Sequence, residues 1–370
     1  MLRNTVGVFL RAALAAAAFA LLGGGFARSA VTYTAVDLNP SAYKVSHATG
    51  VGGGYQVGYG YNPGNHALLW NGSPTGVVDL NPNGYASSTA ISISGGEQSG
   101  LAGTSTGYTH AMLWHGTAAS AVDLHPSGYY ASAALSTSGG WESGYGVLTP
   151  GGYNRAMLWH GTAASAVDLH PSGFTLSVAG SISGNQEVGA GYGTATGGNY
   201  HALLWSGTAA SMVDLNPSGF TATRASGNCG AQQVGYGVGE RTNNQNHALL
   251  WTGAAESVVD LNPAGSDESY SWNTNGTQQV GYAHVGGYHA MLWTGTAESA
   301  VDLHQFLPSG YMNSYATGID AQGNIVGYAA NALGYEHAIL WVPVPEPGTI
   351  VLLGMGVFGA LAWGRRRRRC

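Results

Sequence analysis

The sequence predicts an all-β fold: a seven-bladed β-propeller closed by its N-terminal strand, plus one C-terminal transmembrane helix. Two motifs support this prediction, because each occurs seven times at near-constant spacing. The motif HAxLW, or a close variant, ends at Trp70, Trp114, Trp159, Trp205, Trp251, Trp293 and Trp341. The motif VDL contains Asp37, Asp79, Asp123, Asp168, Asp214, Asp260 and Asp302. Successive tryptophans lie 42 to 48 residues apart, which is the length of one propeller blade.

Composition favours turn-rich β structure. Only 8% of the residues are charged and 60 are glycine, which argues against helices with exposed charged faces. Residues 31–341 contain four basic side chains against nine Asp and eight Glu, a net charge of minus 13. We therefore predict no nucleic-acid partner, because an anionic domain repels polyanions. Cys229 has no second cysteine in this range, so packing alone must hold the domain.

The first 29 residues predict a secretory signal peptide. Arg3 and Arg11 precede the apolar residues 12–22, and the small residues around Ala27 and Ser29 provide a cleavage site. We assign residues 1–29 to this signal and residues 30–341 to the repeat domain.

Each repeat unit predicts four short strands, as the second unit shows. The strands cover residues 86–94, 98–103, 110–114 and 120–124, and no segment between them has a helical period. The third strand, HAMLW, is apolar on both faces. That pattern suits a sheet packed between two other sheets, as in a propeller.

The ends of the repeat region predict closure. The VDL at Asp37 has no HAxLW before it, and the HAILW ending at Trp341 has no VDL after it. If the two motifs form the third and fourth strands of one blade, the first strand of the chain completes the last blade and removes two open edges. A parallel β-solenoid is the alternative, but it does not explain the complementary half-repeats.

The C-terminal segment predicts a membrane stop. Residues 342–348 form a linker, residues 349–364 an apolar helix and residues 365–370 a basic tail. The helix is short, since residues 349–363 span about 22 Å of a hydrocarbon core of about 30 Å. The basic block nevertheless marks a cytoplasmic stop. It consists of Arg365, Arg366, Arg367, Arg368 and Arg369.

The order of these three parts resembles the PEP-CTERM sorting signal, whose tripeptide matches Pro345, Glu346 and Pro347. The resemblance covers about the last 28 residues, and Cys370 after the arginines departs from it. It implies a Gram-negative bacterium and processing by an exosortase as partner. It also implies an inner-membrane intermediate held by the C-terminal helix, then the cell surface or extracellular matrix, with exopolysaccharide as a further expected partner.

The repeat units resemble the HAF repeat of bacterial extracellular proteins. The resemblance follows residues 201–205 (HALLW), the Asp214-Leu215 pair and residues 233–236 (QVGY). Met or Leu replaces Phe, and Arg155 replaces the histidine of the third unit. This resemblance implies no particular reaction.

The repeated polar residues predict structural roles. The six HAxLW histidines are His66, His110, His201, His247, His289 and His337. Copies on separate blades cannot converge on one metal ion, so we expect them to form hydrogen bonds or pack between blades. The VDL aspartates each precede Asn-Pro or His-Pro in most units, and we expect them to accept backbone N–H bonds in turns rather than to bind calcium. We predict no metal site.

No catalytic constellation stands out. Residues 103–107 (GTSTG) match a nucleophile elbow in letters, but a strand follows Ser105 where the elbow requires a helix. Asp267 and Glu268 are adjacent and would face opposite ways in a strand. We predict neither catalytic residues nor a cofactor. The residues that break the repeat are Trp141, Arg155, Arg224, Arg241, Asp267, Glu268, Trp272 and Asp320.

We therefore expect an exported, membrane-sorted protein that acts as a binding or structural component of the cell surface or exopolysaccharide matrix, and not an enzyme. The repeated aromatics are expected to pack between blades, whereas the unrepeated Trp141 and Trp272 are candidate glycan contacts. The alternative is a glycan-active hydrolase or lyase using the propeller mouth. It requires unlike carboxylates, or an Arg and Tyr set, to converge at one end of the channel.

Overall fold

The computed structural model describes residues 31–344 and shows a seven-bladed all-β propeller. Seven four-stranded antiparallel sheets surround a central channel, and within each sheet the strands follow chain order outward except at the closure. First strands of neighbouring blades contact one another, so they line the channel. The predicted fold of the repeat region is confirmed.

Strand β1 (Tyr33–Asp37) is the first strand in the chain and belongs to blade 7. Blade 1 contains β2 (Val45–Gly52), β3 (Tyr55–Tyr61), β4 (Asn65–Trp70) and β5 (Val77–Asp79). Blade 2 contains β6 (Ser87–Ser94), β7 (Glu97–Gly103), β8 (Thr109–Trp114) and β9 (Val122–Asp123). Blade 3 contains β10 (Ala131–Ser138), β11 (Trp141–Val147), β12 (Asn154–Trp159) and β13 (Val167–Asp168).

Four further blades complete the ring. Blade 4 contains β14 (Phe174–Ser183), β15 (Gln186–Gly193), β16 (Tyr200–Trp205) and β17 (Val213–Asp214). Blade 5 contains β18 (Phe220–Cys229), β19 (Gln232–Gly239), β20 (His247–Trp251) and β21 (Val259–Asp260). Blade 6 contains β22 (Ser269–Thr274), β23 (Gln279–His284), β24 (Tyr288–Trp293) and β25 (Val301–Asp302). Blade 7 contains β26 (Tyr311–Ile319), β27 (Ile325–Asn331), β28 (Glu336–Pro343) and the returning β1.

Short 3₁₀ turns connect many of these strands. They cover Ala118–Ser120, Ala163–Ser165, Thr194–Thr196, Ala209–Ser211, Glu240–Thr242, Ala255–Ser257, Ala297–Ser299 and His304–Phe306. Five of them tighten the turn that follows the HAxLW tryptophan. The fourth strands at the rim have only two residues in five blades, which leaves little open edge for another chain to pair with.

Strand β1 closes the ring as the fourth strand of blade 7. It pairs antiparallel with β28 from Tyr33 opposite Pro343 to Asp37 opposite Ile339. The Leu38 amide continues the pairing by donating to the Ala338 carbonyl at 2.8 Å. The predicted closure is therefore confirmed, and β28 extends to Pro343, within the segment assigned from sequence to the linker.

The HAxLW strand is buried on both faces because each face packs on a different blade. In blade 2, Met112 and Trp114 pack on the preceding blade around Leu69. Ala111 and Leu113 face the following blade and reach Trp159. All seven motif tryptophans are fully buried, so each one seals the junction with the blade before it.

A buried hydroxyl also joins each pair of blades. The N–H of the alanine in HAxLW donates to a Ser or Thr Oγ on the first strand of the next blade, at 2.9 to 3.1 Å. This bond satisfies the amide where β-ladder pairing alone does not. The acceptors are Ser88, Ser132, Ser177, Thr223, Ser269, Ser314 and Ser46.

A buried Gln or Glu near the start of the second strand holds the turn after the tryptophan. Gln98 accepts a hydrogen bond from the Gly116 amide, and Glu142 accepts the equivalent bond from Gly161 at 3.0 Å. A neutral amide suits this site better than a carboxylate, because burial disfavours charge. Burial raises the pKa of Glu142 to about 7, although the Gly161 amide opposes the shift.

Truncating a junction tryptophan should destabilise the domain more than truncating an exposed one. Trp205→Ala removes a fully buried side chain and should cost about 3 to 5 kcal/mol of unfolding free energy. Trp141→Ala should cost less, because Trp141 is 38% exposed. Thermal unfolding of both variants gives the ranking, and the opposite order would contradict the assignment of core and surface.

Removing the closing strand should open the last blade. Deletion of residues 33–40 leaves β28 with an unpaired edge and removes the fully buried Leu38. We expect a clearly lower melting temperature than that of the control, which lacks the residues after 344. Equal melting temperatures would show that closure contributes little.

Glu142→Gln should stabilise the domain above neutral pH. The folded-state pKa of Glu142 lies above its ordinary value of 4.5, so its stabilising contribution is complete below about pH 4.5 and is lost as the pH rises through about 7. The glutamine variant lacks this loss and should be more stable at pH 8 by up to about 3 kcal/mol. Denaturant unfolding at pH 5 and pH 8 measures the difference, with the exposed Glu298→Gln as control. An equal gain at both pH values would point to packing and not ionisation.

Candidate functional site at the channel mouth

The channel encloses a cavity of about 840 Å³ lined mainly by the first strands. Each first strand has a β-bulge whose extra residue lines the cavity. A bulge re-aims one side chain, here toward the channel. The seven bulge residues are Thr49, Ile91, Leu135, Gly180, Ser226, Trp272 and Thr317.

The glycine of each QVGY-type segment lies on the second strand, where the backbone of the bulged first strand approaches closely. Gly58, on the second strand of blade 1, pairs with Ala48 of the first strand. A Cβ at Gly58 would overlap the His47 carbonyl oxygen. The same overlap occurs in the other six blades. Only glycine permits so close an approach of two backbones.

Three positions per blade lie beyond the seven bulge residues, toward the beginning of the first strands. The residue type at these positions differs from blade to blade. The first-strand residue lies two positions before the bulge and pairs with a second-strand residue. The third position is the residue before the motif histidine on the preceding blade. Four consecutive blades carry large polar or aromatic side chains at the two paired positions: Arg224 with Tyr236, Tyr270 with Tyr282, Tyr315 with Tyr328, and His47 with Tyr59.

The other three blades carry mostly smaller side chains at the same paired positions. These are Thr89 with Leu101, Ala133 with Tyr145, and Val178 with Ala190. One half of the channel mouth is therefore wide and the other half is lined with rings.

The rings form an unbroken chain of contacts, which we call the aromatic arc. Its members are His47, Tyr59, Tyr236, Tyr270, Tyr282, Tyr315 and Tyr328, and Arg224, with the Tyr200 ring of blade 4 against it, lies at its blade 5 end. Ring centroids are 4.8 Å apart between Tyr236 and Tyr270, and 4.8 Å between Tyr270 and Tyr282. The chain continues at 4.9 Å to Tyr315 and 4.8 Å to Tyr328. It ends with His47 stacked on Tyr328 at 4.0 Å and beside Tyr59.

Carboxylates hold parts of the arc in place. Glu268 accepts hydrogen bonds from the Tyr270 hydroxyl at 3.0 Å and from the Tyr288 hydroxyl at 2.7 Å. At the end of the arc, a Glu336 carboxylate oxygen lies 2.7 Å from Nε2 of His47. These bonds fix the ring orientations before any ligand binds.

The phenols of the arc are neutral hydrogen-bond donors. Burial raises the pKa of Tyr270 to about 12, with Glu268 adding to the shift. Burial also raises the pKa of Tyr282 and of Tyr328. Burial lowers the pKa of His47, although Glu336 opposes this. None of these tyrosines is therefore disposed to act as a base near neutral pH.

Trp272 and Trp141 occupy different places. Trp272 is the bulge residue of blade 6, is 36% exposed and lines the cavity next to the arc, with Tyr236 at 6.1 Å between ring centroids. Trp141 begins β11 at the opposite end of the strands and stacks on His160 at 4.5 Å. The structure therefore does not bring the two candidate glycan contacts together.

The motif histidines and aspartates form structural pairs at the rim. In six blades the histidine Nδ1 lies 2.7 to 2.8 Å from the Oδ2 of the VDL aspartate. The other oxygen, Oδ1, accepts the amide of the residue two positions later, as His125 shows for Asp123 at 2.8 Å. In blade 3, Arg155 replaces the histidine and binds Asp168. Among residues 31–344 no group of three or more His, Cys, Asp or Glu is arranged to hold a metal ion.

The remaining residues that break the repeat are mostly structural. Asp320 accepts the amides of Gln322 and Asn324 within a turn. Arg241 lies over the Phe220 ring. Glu268 lies in the connection before β22 and not in a strand, so the alternation expected for Asp267 and Glu268 in a strand does not apply. Ser105 lies in the turn between β7 and β8, a strand-to-strand connection.

Sequence reasoning missed the arc, because tyrosines that recur in the GY segments were assigned to packing between blades. The tryptophans do pack there, whereas channel tyrosines such as Tyr282 and Tyr315 both contact each other between blades and line the cavity. A comparison of equivalent first-strand positions would have found it, since Arg224, Tyr270, Tyr315 and His47 replace small residues on consecutive blades.

The C-terminal segment matches the PEP-CTERM protein-sorting motif over residues 343–369. This motif is a substrate signal for exosortase, so the protein is exported across the membrane of a Gram-negative bacterium and sorted. The match does not reach the repeats, and the HAF-repeat resemblance stays a prediction. No curated protein sequence matches the chain.

Solved structures support the fold alone. The β-propeller domain of the Trilobed protease from Pyrococcus furiosus, described as having an open velcro topology, has a TM-score of 0.52 at 9% identity and covers 81% of this chain and 94% of its own. A puromycin hydrolase has a TM-score of 0.55 at 12% identity, covering 85% and 58%. A puromycin-hydrolyzing peptidase from Mycobacterium tuberculosis has a TM-score of 0.52 at 12% identity, covering 85% and 56%. The present chain thus spans little more than half the length of each of these two proteins.

Several predicted segments lie outside the described residues. They are the signal peptide of residues 1–29, the PEP tripeptide of residues 345–347, the helix of residues 349–364 and the arginine block. Within residues 31–344 no helix is long and apolar enough to cross a membrane.

Proposed function

We propose that this protein is a carbohydrate-binding component of the cell surface or exopolysaccharide matrix, and that the aromatic arc holds the ligand. The observation that supports this most directly is the unbroken chain of ring contacts across four consecutive blades. The match to the exosortase sorting signal supports this proposal, because an exported protein can meet polysaccharide outside the membrane.

The chemistry of the arc suits sugars. Aromatic faces stack on the apolar faces of sugar rings, and phenol and amide groups at their edges exchange hydrogen bonds with hydroxyls. The Asn246 amide donates to the Tyr270 hydroxyl at 3.0 Å, and the Tyr288 ring stacks on Tyr315 at 5.8 Å. Trp272 adds an exposed face on the channel wall, whereas Trp141 lies away from this site and is not part of the proposal.

The alternative, a glycan-active hydrolase or lyase, receives one supporting observation. Arg224 lies with Tyr200 and Tyr236, which is the kind of Arg and Tyr set that such chemistry requires. Burial raises the pKa of Tyr236 even though Arg224 opposes the shift, so Tyr236 is a poor base. Binding without turnover is therefore the better proposal.

Replacing arc tyrosines should weaken polysaccharide binding. Tyr282→Leu and Tyr315→Leu keep apolar volume but remove a stacking face, and each should reduce affinity about tenfold, a loss of about 1.4 kcal/mol. The matched control is Tyr145→Leu, which changes the equivalent GY tyrosine on a blade outside the arc. Binding of the full chain in detergent to exopolysaccharide and to a polysaccharide panel measures the effect.

Two outcomes would contradict the proposal. Equal losses for Tyr145→Leu and Tyr282→Leu would show a general effect on folding and no arc-specific site. Release of new reducing ends or unsaturated products from a bound polysaccharide would replace binding with the hydrolase or lyase alternative.

A further inference from the structure

Arg224 is an unusual cation in this protein. It is one of four basic side chains in residues 31–341, and it is the one that lines the channel cavity. Two others are engaged elsewhere: Arg155 binds Asp168, and Lys44 lies over the Tyr335 ring. Among the described residues Arg224 makes no ion pair, although the domain carries a large excess of carboxylates. A half-buried guanidinium without a counter-charge costs free energy unless a ligand supplies one.

The geometry leaves the guanidinium ready for an anion. Its Cζ lies 3.6 Å from the centroid of the Tyr200 ring. Stacking of this kind occupies one face of the guanidinium, so its in-plane N–H donors stay available. Those donors match a carboxylate in bidentate geometry.

Space lies directly beside this donor group. The neighbouring blade contributes Val178 and Ala190 at the positions where the arc has rings, and both line the cavity together with Asn154. A sugar substituent can therefore reach Arg224 from the wide half of the mouth, while the rest of the chain lies along the rings.

The carboxylates of the site lie away from Arg224. Glu336 is bound to His47 at the other end of the arc, and Glu268 is bound to tyrosines in blade 6. They disfavour an acidic group on the ligand near His47 and near Tyr270. A site that attracts an acidic group at one position and repels it at others binds the ligand in one register.

From this arrangement we propose that Arg224 forms a subsite for the carboxylate of a uronic acid residue, so that the ligand is a heteropolysaccharide with neutral sugars along the arc and an acidic sugar at the blade 5 end. This inference rests on the proposed carbohydrate-binding function and names its ligand class.

The test compares glucuronoxylan oligosaccharides that carry a single glucuronic acid with the same oligosaccharides after carboxyl reduction. The full chain in detergent should bind the acidic form about tenfold more tightly at low salt, and the preference should shrink as salt is added. Arg224→Gln should lose the preference and bind the acidic and the reduced form with equal affinity. Arg224→Lys should retain a smaller preference, because it keeps the charge without the planar fork.

The matched control is Arg241→Gln, which removes a cation of the same blade that does not line the cavity. It should keep the full preference, and melting temperatures of all variants report folding. Binding of both oligosaccharides by the parent chain without preference, or a preference that survives Arg224→Gln, would overturn the subsite and leave the carbohydrate-binding function standing. Failure of the parent chain to bind any saccharide would overturn both.

Discussion

The structure depends on the burial of both faces of every blade. A HAxLW strand is apolar on its two sides, so a single blade exposes a hydrophobic surface until a neighbour covers each face. The seven junction tryptophans are all fully buried, and blade 1 meets blade 7 in the same manner as any other pair, with Trp70 packed among Leu38 and Leu340. The ring must close for the last pair of faces to be buried. Strand β1 supplies that closure, because it brings the chain's beginning to the outer edge of its final blade.

This repeated packing also explains where the molecule can vary. Within each blade the tryptophan, the buried hydroxyl and the second-strand glycine are fixed by contacts with backbone or with the next blade. The first-strand residue two positions before the bulge, its second-strand partner and the residue before the motif histidine lie at the channel instead. These positions take no part in the tryptophan and hydroxyl contacts of the junctions. Function can therefore differ between blades while the fold stays constant, and four neighbouring blades use this freedom to build the aromatic arc.

The sequence predicted the ring but only part of the site, for physical reasons. Repeated motifs report contacts that every blade makes, so the strand order and the closure at Asp37 and Trp341 followed from their spacing. A binding site on a symmetric ring depends on how the blades differ. Trp272 breaks the repeat, so the sequence distinguishes it from its neighbours, whereas Tyr282 and Tyr328 occupy a position that also holds a tyrosine, Tyr145, outside the arc. The contact between Tyr200 and Arg224 joins two blades and leaves no local signature.

The two ends of the aromatic arc carry different charged groups. Arg224 is one of few basic side chains in the domain and has no acidic partner among the described residues that line the channel. Its burial there costs free energy, and the packing of the blades does not require it. The blade before Arg224 carries Val178 and Ala190 at the paired positions and the blade after it carries Tyr270 and Tyr282, so Arg224 marks the boundary between the open and the aromatic halves of the mouth. At the far end, His47 lies between Glu336 and the stacked face of Tyr328. The two ends of the arc therefore differ in both charge and shape, and a chain-like ligand lying along it would meet a different chemical environment at each end.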